Sequence, residues 1–121
     1  MGDKKLDVMV WLTEIGGKVT VNFKPEMVTV TQMSSKINYL LDKEKSLGYS
    51  FAGAVFPIAN QNPPSILDDV TSFKVKEGGY RLTIKDSNIN AGIIGVKLLL
   101  VNAEGNIVES SDPQVKNDPT F

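Results

Sequence analysis

Short runs of alternating apolar and polar residues, cut by glycine or proline at fairly regular intervals, constrain this chain most. The breakers are Gly16-Gly17, Pro25, Gly48, Pro57, Pro63-Pro64, Gly78-Gly79, Gly92, Gly95, Gly105 and Pro113. A period of two sends successive side chains to opposite faces of a strand, and many short strands between turn signals mark a sandwich or barrel. Lys18 to Lys24 is the clearest run, with Val19, Val21 and Phe23 facing in and Lys18, Thr20, Asn22 and Lys24 facing out. Leu6 to Thr13 sets Leu6, Val8, Val10 and Leu12 on one face and Asp7, Met9, Trp11 and Thr13 on the other. Glu14-Ile15-Gly16-Gly17 joins the two as a hairpin, because glycine tolerates the positive φ of a tight turn.

The remaining runs follow the same logic. Met27 to Thr31 turns Val28 and Val30 inward. Ser34 to Leu47 fits a helix capped by Ser34, with Ile37, Leu40, Leu41 and Leu47 on one stripe. It also fits a strand with Ile37, Tyr39 and Leu41 on one face and a polar turn from Asp42 to Ser46. The strand is preferred because its neighbours are all β. Tyr49 to Phe56 places Tyr49, Phe51, Gly53 and Val55 on one side; Ser50, Ala52 and Ala54 leave room for a close neighbour on the other. Pro57 to Leu67 is the longest loop. Phe73 to Lys76, Tyr80 to Lys85, Ile93 to Val101 and Asn106 to Glu109 complete the strands, and a polar tail runs from Ser110 to Phe121. Eight or nine strands in one domain over residues 1–121 predict an all-β, two-sheet, immunoglobulin-like antiparallel sandwich, with a jelly roll as runner-up. The Cys-Trp-Cys pattern of true immunoglobulin domains is absent.

Composition excludes several kinds of chemistry. The 121 residues include no His and no Cys. No disulfide framework, Cys/His zinc site, Ser-His-Asp triad or Cys-His pair is possible. Thirteen Lys and Arg against 14 Asp and Glu give a net charge of -1, which argues against nucleic acid or a membrane surface as a partner held by overall charge. No apolar stretch approaches the roughly 18 residues of a membrane span. At the start, Asp7 interrupts any signal-like run, and Leu6 stands where a myristoylation signal prefers Ser or Thr. The expectation is a cytoplasmic protein with its native start and no cofactor.

Candidate motifs give little catalytic signal. Asp86-Ser87-Asn88-Ile89-Asn90 matches the opening of a calcium loop, but Ala91 stands where that loop needs Gly and Lys97 where it needs Glu. A turn whose Asx side chains bond their own backbone is the preferred reading. Asp68, Asp69 and Asp112 show no spacing that would pair two carboxylates for acid-base work, so no catalytic or metal-binding residue is expected. Lys36, Lys43 and Lys45 are interleaved with Asp42 and Glu44 and read as a solvated turn.

Two strands are apolar on both faces. Met9 and Trp11 lie opposite the Val/Leu face of the first strand, and Leu99 and Val101 lie opposite Val96, Leu98 and Leu100. Either a loop such as Pro57 to Leu67 covers them, or they form a subunit interface, where aromatics and Met are enriched. The leading expectation is a non-enzymatic, self-associating homo-oligomer with Met9, Trp11, Leu99 and Val101 in its contacts, so that Trp11→Ala weakens association. The alternative is a small-ligand or carbohydrate-binding module. In it Trp11 or Tyr49 would act with Asn60, Gln61 and Asn62 of the long loop.

Asp112-Pro113-Gln114-Val115-Lys116-Asn117-Asp118-Pro119 follows a strand-turn-strand segment from Leu98 to Ser111. In these residues the chain resembles the DP-EP family of small bacterial proteins, and it is also similar to bacterial inclusion-body proteins. The second pair here is Asp-Pro rather than Glu-Pro. The first resemblance implies an immunoglobulin-like sandwich without an assigned activity, and neither brings catalytic residues. Physically, Asp-Pro fixes φ at proline and extends the preceding Asp, which suits the end of an edge strand.

Overall fold

The structure, a computed structural model, describes residues 4–119. Gly2, considered above for lipid attachment, and the last two residues of the tail lie outside the described residues. The strands are β1 Lys4–Ile15, β2 Lys18–Lys24, β3 Met27–Val30, β4 Ser35–Leu41, β5 Tyr49–Val55, β6 Val70–Lys76, β7 Arg81–Asp86, β8 Gly92–Gly95, β9 Lys97–Asn102, β10 Ile107–Glu109 and β11 Gln114–Asn117. The fold is therefore all-β, and its three sheets run β2-β1-β4-β7-β6, β10-β9-β5 and β3-β11-β8.

Local sequence accounts for most of these elements. Gly16 and Gly17 take φ of 58° and 82°, the two positive values that a two-residue turn between twisted strands requires. Ser34 to Leu47 resolves as strand β4 followed by a short 3-10 turn at Lys43–Lys45, where the Asp42 carboxylate accepts the Glu44 N–H at 2.9 Å. The small side of β5 does admit a close neighbour. A Cβ added at Gly79 would lie 2.7 Å from the Ser50 Cβ, so the turn before β7 rests directly on β5.

Four expectations are corrected. There are three sheets rather than two, and two of them are mixed rather than antiparallel: β1 runs parallel to β4, and β3 parallel to β11, while β10-β9-β5 is antiparallel throughout. A parallel pair needs a crossover, and β2 and β3 supply it. The chain leaves β2 through a cis Lys24–Pro25 bond, joins the β3-β11-β8 sheet, and returns as β4 on the far side of β1. Ile93 to Val101 is two strands, broken at Val96. In β5 the register shifts between Phe51 and Gly53, which sends Val55 outward and leaves Ala54 packed against the core. The polar tail contributes β11, the central strand of its sheet, with Val115 fully buried; it does not guard an edge.

One apolar core joins the sheets. Val8, Val10 and Leu12 of β1, Ile37, Tyr39 and Leu41 of β4, and Leu82 and Ile84 of β7 meet Ile94, Val96, Leu98 and Leu100, with Val28, Val30 and Val115 from the third sheet. Each such burial contributes roughly 1.5–3 kcal/mol. β10 approaches β2 and β5 approaches β6 along the rims, so the β10-β9-β5 sheet lies across from the five-stranded one. This arrangement fits a β-sandwich.

Candidate functional site

The break between β8 and β9 leaves backbone groups without a ladder partner, and three side chains take them up. Gln61 Oε1 accepts the Gly95 N–H at 2.9 Å, Asp112 Oδ1 accepts the Val96 N–H at 2.8 Å, and Ser110 Oγ accepts the Leu98 N–H at 2.9 Å. Buried amides need such partners. The Asp112-Pro113 pair therefore works inside the fold: its carboxylate pins the segment leading into β11 against the broken strand.

A buried polar cluster lies at the other end of β7. Asp69 Oδ2 accepts the Ile89 and Asn90 N–H groups and the Asn117 amide, at 2.9, 2.8 and 2.9 Å, and Oδ1 accepts the Asn90 amide at 2.7 Å. Asp86 Oδ1 accepts the Asn88 N–H at 2.9 Å and the same Asn117 amide at 3.2 Å, while Oδ2 is buried with no partner. Burial, with a smaller push from the Asp69 charge, raises Asp86 to a pKa of about 6. The bond from Asn88 to Asp86 is the Asx turn expected for the 86–90 motif. Its long-range half was illegible, because nothing in the motif points to Asp69 or Asn117. Among the described residues no group of three or more acidic side chains could hold a metal.

The residues singled out from sequence fall in separate places. Leu99 and Val101 face out of the β10-β9-β5 sheet, half-buried, because Leu98 and Leu100 take the core side. Ile107 pairs with Val101, and Val55, after the β5 register shift, joins the same face. Ile107 is 65% exposed and Val55 41%. Lys97 and Glu109 sit beside them, 3.7 Å apart. Met9 and Trp11 instead face out of the five-stranded sheet, so the structure does not bring the two pairs together. Met9 is 47% exposed between Lys24 and Leu40. Trp11 borders an open groove of about 300 Å³ with Asn22, Phe23, Glu26 and Ser111.

The long loop packs on β8 and β6, and Met9, Val55 and Ile107 stay exposed. Gln61 is turned inward, its amide also donating to Pro57 O at 2.8 Å and Gly95 O at 2.9 Å. Asn60 lies against Gly95, and Asn62 pairs its backbone with Ile93. Tyr49 is buried in the core. Asp68 is exposed, whereas Asp69 and Asp112 are held in two different hydrogen-bond networks.

No helix among the described residues is long and apolar enough to cross a membrane. A search of curated proteins finds no match to the chain. The model of the DP-EP family matches residues 4–119, far more than the Asp-Pro segment alone, and the Asp112 anchor falls within that span. The chain belongs to the DP-EP family.

Proposed function

We propose that this protein is a non-enzymatic, self-associating module that pairs with a second copy through the outer face of β10-β9-β5. The observation that carries this reading is the apolar strip of Val55, Leu99, Val101 and Ile107 on three neighbouring strands. Water contact with such a strip is unfavourable, and a facing sheet would remove it. Lys97 and Glu109 lie on the same face, so a two-fold partner would offer each an opposite charge, as a self-complementary interface requires. The finer fold reading is an immunoglobulin-like sandwich. It is supported by the shared core and by a chain that crosses between sheets at β2–β3. The absence of Cys is compatible with a cytoplasmic setting.

Light scattering behind a sizing column tests this. The native chain is expected as a dimer or larger, and Leu99→Lys as a monomer of about 13.2 kDa. Trp11→Ala, on the opposite sheet, should leave the assembly intact. A native monomer at high concentration overturns the proposal, as does a Leu99→Lys protein that still assembles.

A second reading has one observation in its favour. The groove at Trp11 and Phe23, with Asn22, Glu26 and Ser111, combines aromatic faces with polar groups in the way a sugar site does. It moves the ligand-binding alternative from the long loop to the β2 edge. Trp fluorescence titrated with a glycan panel tests it, and a flat response across the panel removes it.

A further inference from the structure

The outer face of the five-stranded sheet gathers positive charge that is scattered in the sequence. Register places Lys5, Lys36 and Lys85 side by side across β1, β4 and β7, and sets Arg81 beside Lys76 on β7 and β6. Lys74 lies next to Thr83 in the row between. These are six of the chain's 13 Lys and Arg. Among the described residues, Asp7, which accepts from the Asn38 amide at 3.2 Å, and Glu77, which pairs with Arg81 at 3.5 Å, stand beside them. Like charges directly opposite on paired strands, as Lys5 and Lys36 are, repel one another, and a bound anion would relieve that repulsion.

The face is also shaped. One cavity of about 150 Å³ is lined by Lys36, Lys74, Lys76 and Lys85 with the hydroxyl-bearing Ser72 and Thr83. A neighbouring one of about 100 Å³ adds Lys5, Arg81 and Asn38 and shares Lys36, Lys76 and Thr83. No aromatic side chain lines either, so a nucleobase has nothing to stack on, whereas phosphate oxygens meet ammonium groups and the Ser72 hydroxyl, the Thr83 hydroxyl being donated to Asn38 Oδ1 at 2.8 Å. We propose that this face, centred on Thr83 between Lys36, Lys74 and Lys76, binds a compact polyphosphate anion. The site is independent of the assembly reading, which uses the opposite sheet.

Calorimetric titration of the full chain with inorganic tripolyphosphate tests the site. Binding is expected, weakening as salt rises, because the contacts are charge on charge. The double variant Lys36→Gln/Lys74→Gln should weaken it at least about tenfold. Without the anion this variant should melt no lower than the native chain, since repulsion is relieved. Lys43→Gln/Lys45→Gln, in the turn after β4, should bind as the native chain does. Adenosine triphosphate distinguishes two sources of the same chemistry: equal affinity assigns the site to a free phosphate chain, tighter binding to a nucleotide tail. No tripolyphosphate binding overturns the proposal. So does unchanged binding by the Lys36/Lys74 variant, or capture of a single-stranded oligonucleotide or an anionic vesicle while tripolyphosphate is ignored.

Discussion

The side-chain amide of Gln61 and the peptide of Gly95 are bonded in both directions. The Gly95 N–H donates to Oε1 at 2.9 Å, and Nε2 donates to the Gly95 carbonyl at 2.9 Å. A side chain here makes the pair of bonds that a neighbouring strand would make, at the place where the ladder stops. Gln61→Leu keeps the bulk but leaves a buried donor and acceptor unpaired. A loss of about 3 kcal/mol is expected. The urea midpoint measures it, and a loss below about 1 kcal/mol would show that water replaces the amide.

The two buried carboxylates should answer the same substitution differently. Every oxygen of Asp69 accepts from a donor, so an amide there turns its own N–H groups on other donors. Asp69→Asn should cost on the order of 2–4 kcal/mol. Asp86 has a partnerless Oδ2 in a site that also holds the partnerless oxygens of Asn88 and Asn117. An amide nitrogen at that position can donate, and Oδ1 keeps its two bonds. Asp86→Asn should therefore lose no stability at pH 7.5. Thermal melts of the two variants side by side decide it.

The pH profile follows from the same carboxyl. Asp86 releases its proton near pH 6 when folded and near 3.8 when unfolded. Between these values the folded chain holds more protons, so this group makes stability fall as pH rises from about 4 to 6. Above about 6 the penalty is complete, and below about 4 it is absent. The stability of Asp86→Asn relative to the native chain should rise through that window and then level off. Urea unfolding at closely spaced pH values measures the difference, and a flat line would show that Asp86 is not shifted.

The two Asp-Pro pairs should be unequal. Asp112 acts through its carboxylate on the Val96 N–H, whereas Asp118 enters through its own N–H, which donates to Val30 O at 2.8 Å. Asp112→Ala is expected to cost about 1–3 kcal/mol. Asp118→Ala keeps its backbone bond and should stay within about 0.5 kcal/mol. Chemical denaturation of both checks this, and equal losses would place the pair's role in the chain direction rather than the carboxylate.

Alternation was enough to read the inward residues of β1, β2 and β3, because a strand with one buried face writes its period into the sequence. It failed at Ala52 and Val96. A register shift or a strand break depends on what the neighbouring strand offers, and β9 pairs with β5, from which β6, β7 and β8 separate it in the chain. The Leu99 and Val101 face was visible as a two-sided apolar strand. Its partners Val55 and Ile107 were not, since Val55 changes sides only after the register shift.

By itself, then, the sequence determined the strand class, the Gly16-Gly17 turn, the Asx turn at Asp86 and the chemistry ruled out by having no His or Cys. Each of these rests on neighbouring residues or on counting. Only the tertiary structure decided which distant strands pair, that β1 and β4 run parallel, and that Asp69, Asp86 and Asn117 share one buried site. It also divided the basic residues. Lys36, close in sequence to Lys43 and Lys45, parts from them to join Lys5, Lys74, Lys76 and Lys85 on one face. A net charge of -1 records only the sum, while the register across the sheet fixes where the charges lie.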